Sequence, residues 1–421
     1  MAPEKNKSIF RNVDKTLVLL YLALVFIGWI NIYAAVHNTD HSSIFDLSQN
    51  YGKQLLWIGT SLIIVVMILL TDTRFFNVFA YGIYGIVIVV LIGVLFFGKE
   101  IYGSKSWFQI GGFALQPAEF GKFATNLAIA KYLSSIDFDK KKKLSKFIPL
   151  VIIGIPAILI LLQNDTGSAL VYASFGLVFY REGMPAYILA IIAGLAVLTI
   201  MALLINQFVL MGCLFALAVL IFYFYRKQRK VWGFIIALFI ASSAYISTVD
   251  YAFDHFLEPH QQTRINVLLG KKIDIKKDGY NVNQSKIAIG SGKLLGKGFL
   301  KGTQTKFNFV PKQSTDFIFC TIGEEWGFLG ALVLISLYIS LFVRIVMIAE
   351  RQRTDFARIY GYGVASILFF HFAINIGMTI GLIPVIGIPL PFLSYGGSSL
   401  WAFTILLFIF IKQDSTRLSG R

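Results

Sequence analysis

Charge is scarce in this chain, and acid is the scarcer sign. Only 14% of its 421 residues are charged, with 22 Asp and Glu against 38 Lys and Arg. Beside 57% hydrophobic and 15% aromatic residues and a mean hydropathy of +0.72, so little charge excludes a water-soluble globule. Cysteine is nearly absent. Cys213 and Cys320 both lie in apolar sequence, which reads as two buried small hydrophobes rather than a disulfide framework, and no role is assigned to them. The five histidines are scattered, and no Cys, Ser or His falls into the spacing of a metal cluster or a nucleophile triad. Solenoid repeats and low-complexity linkers are missing too, so the reading is one integral domain over residues 1–421.

Long apolar runs are what the chain does have. A crossing helix needs about 20 mainly apolar residues. On that rule spans are expected near 16–36, 54–71, 78–98, 118–133, 148–163, 167–181, 185–205, 207–224, 232–248, 317–345, 359–381 and 397–412. The start MAPEKNKSIFRNVDK lacks the apolar core and cleavage site of a signal peptide, so the first span is expected to stay in the mature chain. With a cytoplasmic amino terminus, KKKKLSK (140–146), YREG (180–183), RKQRK (226–230), AERQRTDFAR (349–358) and KQDSTRLSGR (412–421) all fall inside, as basic segments should. The net charge of +16 is then membrane orientation, not nucleic-acid binding. The long loop 249–316 faces outward, and its lysines suit an anionic partner there.

Four polar clusters interrupt the apolar pattern. YGSKSWFQIGGFALQPAEFGKFATN (102–126) carries Glu119 and Lys122 three residues apart on one helical face, either a self-neutralising pair or the lining of a cavity. QNDTG (163–167) reads as a tight turn in which Asp165 caps the next helix. The loop 249–316 leads into a span whose start holds Asp316, Glu324 and Glu325, as caps, ion partners or reactive groups. GLIPVIGIPLPFLSYGGSSLWAF (381–403) has too many prolines and glycines for a helix, and backbone so irregular cannot face lipid. All four fall on the outer side and can converge on one polar cavity. That cavity suits a transporter nearly as well as an enzyme acting on a lipid-linked substrate. For the enzyme, a base and cations for a phosphate leaving group are needed, and Asp274, Arg264, Lys286 and Lys297 supply these types.

QSKIAIGSG (284–292), TDFIF (315–319), GEE (323–325) and PLPFLSYGGSS (389–399), with GSKSWFQIGGFALQPAEFGK (103–122) and QNDTGSALV (163–171), resemble the SEDS family of cell-wall glycosyltransferases, in the right order over most of the chain. GKGFLKGTQT (296–305) is similar to the family's rod-shape-determining, elongation branch. The resemblance implies an all-α polytopic membrane protein that polymerises lipid II into glycan strands on the outer face of the bacterial inner membrane. It implies Asp274 as the general base, ten residues before Gln284 and ahead of Gly279-Tyr280, with Asp278 as the alternative. Lys105, Trp107, Gln116, Glu119, Lys122, Asp165, Arg264, Gln284, Ser285, Lys286, Lys297, Thr315, Asp316, Glu324 and Ser394 are the implied substrate-binding or cavity residues.

The departures from the family pattern are specific. Ser106 stands where an Arg is usual, Ser314 where a His is usual, and twelve spans stand where ten are usual. A helical pair inserted within 185–248 accounts for the excess and keeps the catalytic loop 249–316 outside. The cofactor stays open, with a divalent cation such as Mg2+ as the candidate and no metal ligands identified. Expected partners are a class B penicillin-binding protein and other elongation-complex membrane proteins. The alternatives are a lipid II flippase and a non-catalytic scaffold.

Overall fold

The computed structural model describes residues 12–37, 43–101, 103–110, 113–135, 143–183, 186–255, 262, 278–307 and 309–417. Two units divide the chain, one formed by Met1–Glu182 with Asn281–Arg421 and the other by Gly183–Tyr280.

In the first unit the helices are α1 (Lys15–Val36), α2 (Asn50–Leu70), α3 (Thr73–Val78), α4 (Ala80–Phe97), α5 (Pro117–Leu133), α6 (Lys143–Leu162), α7 (Thr166–Leu170) and α8 (Phe175–Arg181). The second unit holds α9 (Ala186–Leu204), α10 (Gln207–Tyr225) and α11 (Arg229–His255). After α12 (Asp278–Ser291), the first unit resumes with α13 (Thr303–Lys306), α14 (Ile318–Glu325), α15 (Gly327–Glu350), α16 (Asp355–Thr379) and α17 (Gly397–Thr416). Among the described residues seven helices are long and apolar enough to cross a membrane: α1, α2, α4, α10, residues 231–251 of α11, α15 and α16. Of the other spans read from the sequence, those near 118–133, 148–163, 185–205 and 397–412 correspond to α5, α6, α9 and α17. Large apolar side chains such as Phe26, Ile63, Phe97 and Val333 stand exposed around these helices, as suits a surface solvated by lipid rather than water.

Two expected spans are broken. Residues 167–181 form α7, a 3-10 turn at Val171–Ser174 and α8. The run 317–345 is two helices, because Gly327 takes φ +64° and ends α14; a Cβ there would lie 2.3 Å from the Gly296 nitrogen, so only glycine allows this approach. The crossing helix therefore starts at Gly327, and Glu324 and Glu325 lie before it. The segment 99–118 is also more ordered than a loop. It forms a three-stranded antiparallel meander of β1 (Lys99–Ile101), β2 (Ser104–Ile110) and β3 (Phe113–Leu115), in which Lys99 faces Trp107 and Phe108 faces Leu115.

In the second unit, α9, α10 and α11 match the spans expected at 185–205, 207–224 and 232–248. They share a small core of Ala202, Leu210 and Ile246, and a bond of 2.8 Å joins the Thr199 and Tyr245 hydroxyls. Both cysteines are free. Cys320 is buried as expected, but Cys213 is exposed on α10, where an apolar sequence context means a lipid-type surface instead of a core.

Candidate active site

The irregular segments of the first unit meet at one end of its helices. The Lys105 N–H donates to the Gln163 carbonyl at 3.0 Å and the Ser104 hydroxyl donates to the same oxygen at 2.9 Å, which ties the meander to the turn before α7. Gln116, at the entry to α5, donates from Nε2 to Asp165 at 2.8 Å and from its backbone N–H to the Ser398 hydroxyl at 3.1 Å. Asp165 caps α7 as expected, accepting from the Ser168 N–H at 3.0 Å with its other oxygen.

Residues 382–396 are irregular, and side chains satisfy their backbone. Asn375 donates from Nδ2 to the carbonyls of Ile388 and Asp316, both at 2.8 Å. Ser394 donates to the Thr315 carbonyl at 2.6 Å and accepts from the Leu390 N–H at 2.8 Å, while the Tyr395 N–H donates to the Ser314 carbonyl at 2.9 Å. Backbone without helix or sheet is tolerated here because protein groups replace the water it would otherwise need. Thr315 and Asp316 thus take part through their carbonyls. The Asp316 carboxylate itself lies 3.8 Å from the Nζ of Lys312, four residues earlier in the chain.

Behind this surface sits a buried charge cluster. Pro117 opens α5, so the two following charges, Glu119 and Lys122, lie in its first two turns, and both are 2% exposed. Lys122 Nζ donates to Glu119 Oε2 at 2.7 Å, lies 2.9 Å from His371 Nε2 on α16, and stands 4.9 Å from the centre of the Phe403 ring. His371 was missed in the sequence because the histidines look scattered. The signal available was a polar stripe in an apolar span: His371, Asn375 and Thr379 recur every four residues, on one helical face.

Other expected site residues fall into two groups. Ser285 is buried and donates to the Thr379 carbonyl at 2.9 Å, so it docks α12 against the end of α16. Gln284 is half-buried on α12, and Lys286 is exposed with its side chain running beside Gly381, where an added Cβ would lie 3.2 Å from Nζ. Trp107 is half-buried on β2; Lys105 beside it is exposed and donates to the Phe96 carbonyl at 3.2 Å. Glu324 is a loop anchor. Its carboxylate accepts from Lys297 Nζ at 2.7 Å and from the N–H groups of Thr303, Gln304 and Thr305 at 2.8 to 2.9 Å, which caps the short helix α13. Lys297 is thus paired with Glu324, its side chain 25% exposed. Arg264 and Asp274 lie outside the described residues, as does the side chain of Asp278.

The sequence profile of the cell cycle protein family FtsW/RodA/SpoVE matches residues 14–211 and 205–417, nearly the whole chain. This chain belongs to the FtsW/RodA/SpoVE family. The peptidoglycan glycosyltransferase RodA of Treponema pallidum is 31% identical over 429 residues, covering 96% of this chain and 98% of that one. The peptidoglycan glycosyltransferase MrdB of Escherichia coli K12 is 31% identical over 404 residues, covering 95% and 94%. A chain from a solved peptidoglycan synthase complex, reported for its coordination of polymerization and crosslinking, superposes with a TM-score of 0.68 at 26% identity, covering 97% and 99%. The rod shape determining protein RodA of Thermus thermophilus shares the fold, with a TM-score of 0.62 at 24% identity and the same coverage. Membership, fold and apolar helices together make this a multi-pass membrane protein of the SEDS type.

Proposed function

We propose that this chain is a peptidoglycan glycosyltransferase of RodA type that polymerises lipid II during cell elongation. The observation that carries the reading is the full-length similarity to relatives bearing that name, 31% identical over 95 to 96% of this chain. Asp274 is the general base. Its carboxylate takes the proton of a sugar hydroxyl on one lipid II, and that oxygen bonds to the anomeric carbon of a second. The bond from that carbon to the pyrophosphate oxygen breaks with its electron pair, releasing undecaprenyl pyrophosphate. Lys105 and Lys286 are exposed and suit the departing negative charge, whereas Lys122 is buried and already paired, so it acts through Glu119 and its surroundings. Arg264 is a further candidate contact.

A divalent cation such as Mg2+ would shield the pyrophosphate. Among the described residues no group of three or more His, Cys, Asp and Glu side chains could hold a metal ion, so no step is assigned to one. The reaction face is extracytoplasmic, in the inner membrane, with the amino terminus inside; the basic segments that this places inside support it. A class B penicillin-binding protein is the partner, in keeping with the synthase complex whose chain this one resembles. The inserted pair within 185–248 precedes the catalytic loop 249–316.

The test is glycan synthesis from lipid II by purified Asp274→Asn, with folding verified in detergent. Loss of about 100-fold or more is expected for a general base. Undiminished polymer would overturn the assignment of Asp274, and transbilayer movement of lipid II without any polymer by the unaltered chain would turn the reading to a flippase.

A further inference from the structure

We infer that His371 is a positioning residue: as a neutral imidazole protonated on Nδ1, it locks the Lys122 ammonium, and through it Glu119, to the irregular segment at Pro389. The inference rests on the glycosyltransferase reading for its kinetic consequence only.

The hydrogen bonds fix the tautomer. His371 Nδ1 lies 3.1 Å from the Pro389 carbonyl, which can only accept, so Nδ1 carries the proton and donates it. Nε2 lies 2.9 Å from Lys122 Nζ, which as an ammonium can only donate, so Nε2 keeps its lone pair and accepts. An imidazolium would present a second N–H to the lysine, and the opposite tautomer would present N–H to ammonium and a lone pair to carbonyl. The first fails at the lysine and the second fails on both sides. His371 is 0% exposed, and its ring packs edge-on against Phe403 at 4.8 Å and 85°. The same Phe403 ring faces Lys122 Nζ, so a carboxylate, an imidazole and an aromatic face surround the cation.

This arrangement joins three elements through the two nitrogens of one ring. Lys122 comes from α5, His371 from α16, and Pro389 from the segment in which the Leu390 N–H bonds to Ser394 and Ser394 in turn to the Thr315 carbonyl. A displacement of the Pro389 carbonyl is therefore passed to the Glu119–Lys122 pair through one rigid ring. An aspartate or glutamate side chain in place of His371 would add a second buried negative charge, and an apolar one would leave Lys122 with Glu119 alone.

Two measurements test this. In polymerisation from lipid II, His371→Leu should lower kcat by about 30-fold or more with KM within about threefold, because a misplaced catalytic surface costs turnover more than binding. His371→Gln, whose amide oxygen can accept from Lys122, should recover most of that loss. A purely structural ring predicts the reverse order, since leucine packs in an apolar pocket at least as well as glutamine; equal or better turnover by the Leu variant overturns the inference. Independently of activity, histidine 15N spectra of the full chain should show His371 protonated on Nδ1, with an Nε2 resonance that moves in Lys122→Met. A proton on Nε2, or no response to Lys122→Met, overturns it as well. If the unaltered chain makes no polymer while the spectra show this tautomer, the glycosyltransferase reading falls and the positioning of Lys122 by His371 stands.

Discussion

Arg351 and Lys122 are both cations held by carboxylates within the first unit, and they are held in contrasting ways. Arg351 belongs to a network where the chain's two ends meet. Asp14, which caps α1, accepts from Arg344 at 2.6 and 3.2 Å and from Arg351 at 3.2 Å; Asp414, near the end of α17, accepts from Arg351, from Arg417 at 2.9 Å and from Gln352 at 2.9 Å. A cavity of about 260 Å³ opens beside them, lined by Asp14, Lys15, Arg351, Asp414 and Arg417 among others. It lies at the far end of the helices from the Pro389 segment. Every acid in this network has more than one donor, and the arginines reach solvent, their side chains being 26 to 35% exposed. Lys122 is fully enclosed, with one carboxylate and one imidazole. Redundant, solvated ion pairs tolerate a missing member; a single enclosed pair does not.

The sharpest way to break that comparison is to remove Lys122. Lys122→Met strands Glu119 as a buried charge and should cost about 3–5 kcal/mol of stability, read as unfolding in mixed micelles. Adding Glu119→Gln should restore most of it. If the single variant is no less stable than the double, the pair is not enclosed and the contrast fails. Next in size is Glu324→Ala, which leaves the N–H groups of Thr303, Gln304 and Thr305 without their acceptor and Lys297 without its carboxylate. A loss of about 3 kcal/mol is expected, with faster amide exchange confined to residues 303–305. Arg351→Ala should cost only about 1 kcal/mol, because Arg344 still holds Asp14 and Arg417 still holds Asp414. Raising the salt should shrink the Arg351 effect and leave the Lys122 effect unchanged.

The smallest effect is a pH dependence at Asp14. Burial pushes its carboxyl up, but the bond from Arg344, the Leu17 N–H and the charges of Arg344 and Arg351 outweigh it, so its pKa lies below the ordinary 3.8. A depressed acid stabilises the fold fully above its ordinary value and loses that contribution as pH falls through the folded one. The stability gap between the unaltered chain and Asp14→Asn should therefore be constant at neutral pH and close only below 3.8. A gap that closes near neutrality would mean that Asp14 is not held by the arginines.

Much of the architecture was legible without coordinates because it is local. Apolar runs of crossing length located the helices, Pro117 and Asp165 marked helix starts, and the three-residue spacing of Glu119 and Lys122 put them on one face. The prolines and glycines of 381–396 announced irregular backbone, and the rule that such backbone needs protein or water partners anticipated the side chains that satisfy it. The strands of the meander escaped notice, since three short strands leave too little period to read. The break at Gly327 escaped as well, because a positive φ is invisible in an apolar run that continues past it.

Composition and pattern thus settled that this chain lives in a membrane, roughly where most of its helices run, and which segments are too polar or too irregular to face lipid, because each follows from neighbours a few residues apart and from the solvent they must meet. Only the tertiary structure decided which polar groups meet. Lys122 and His371 are 249 residues apart, and Asp14 and Arg351 are 337 apart. Whether a buried charge has one partner or several depends on how distant helices pack, and no local spacing carries that information.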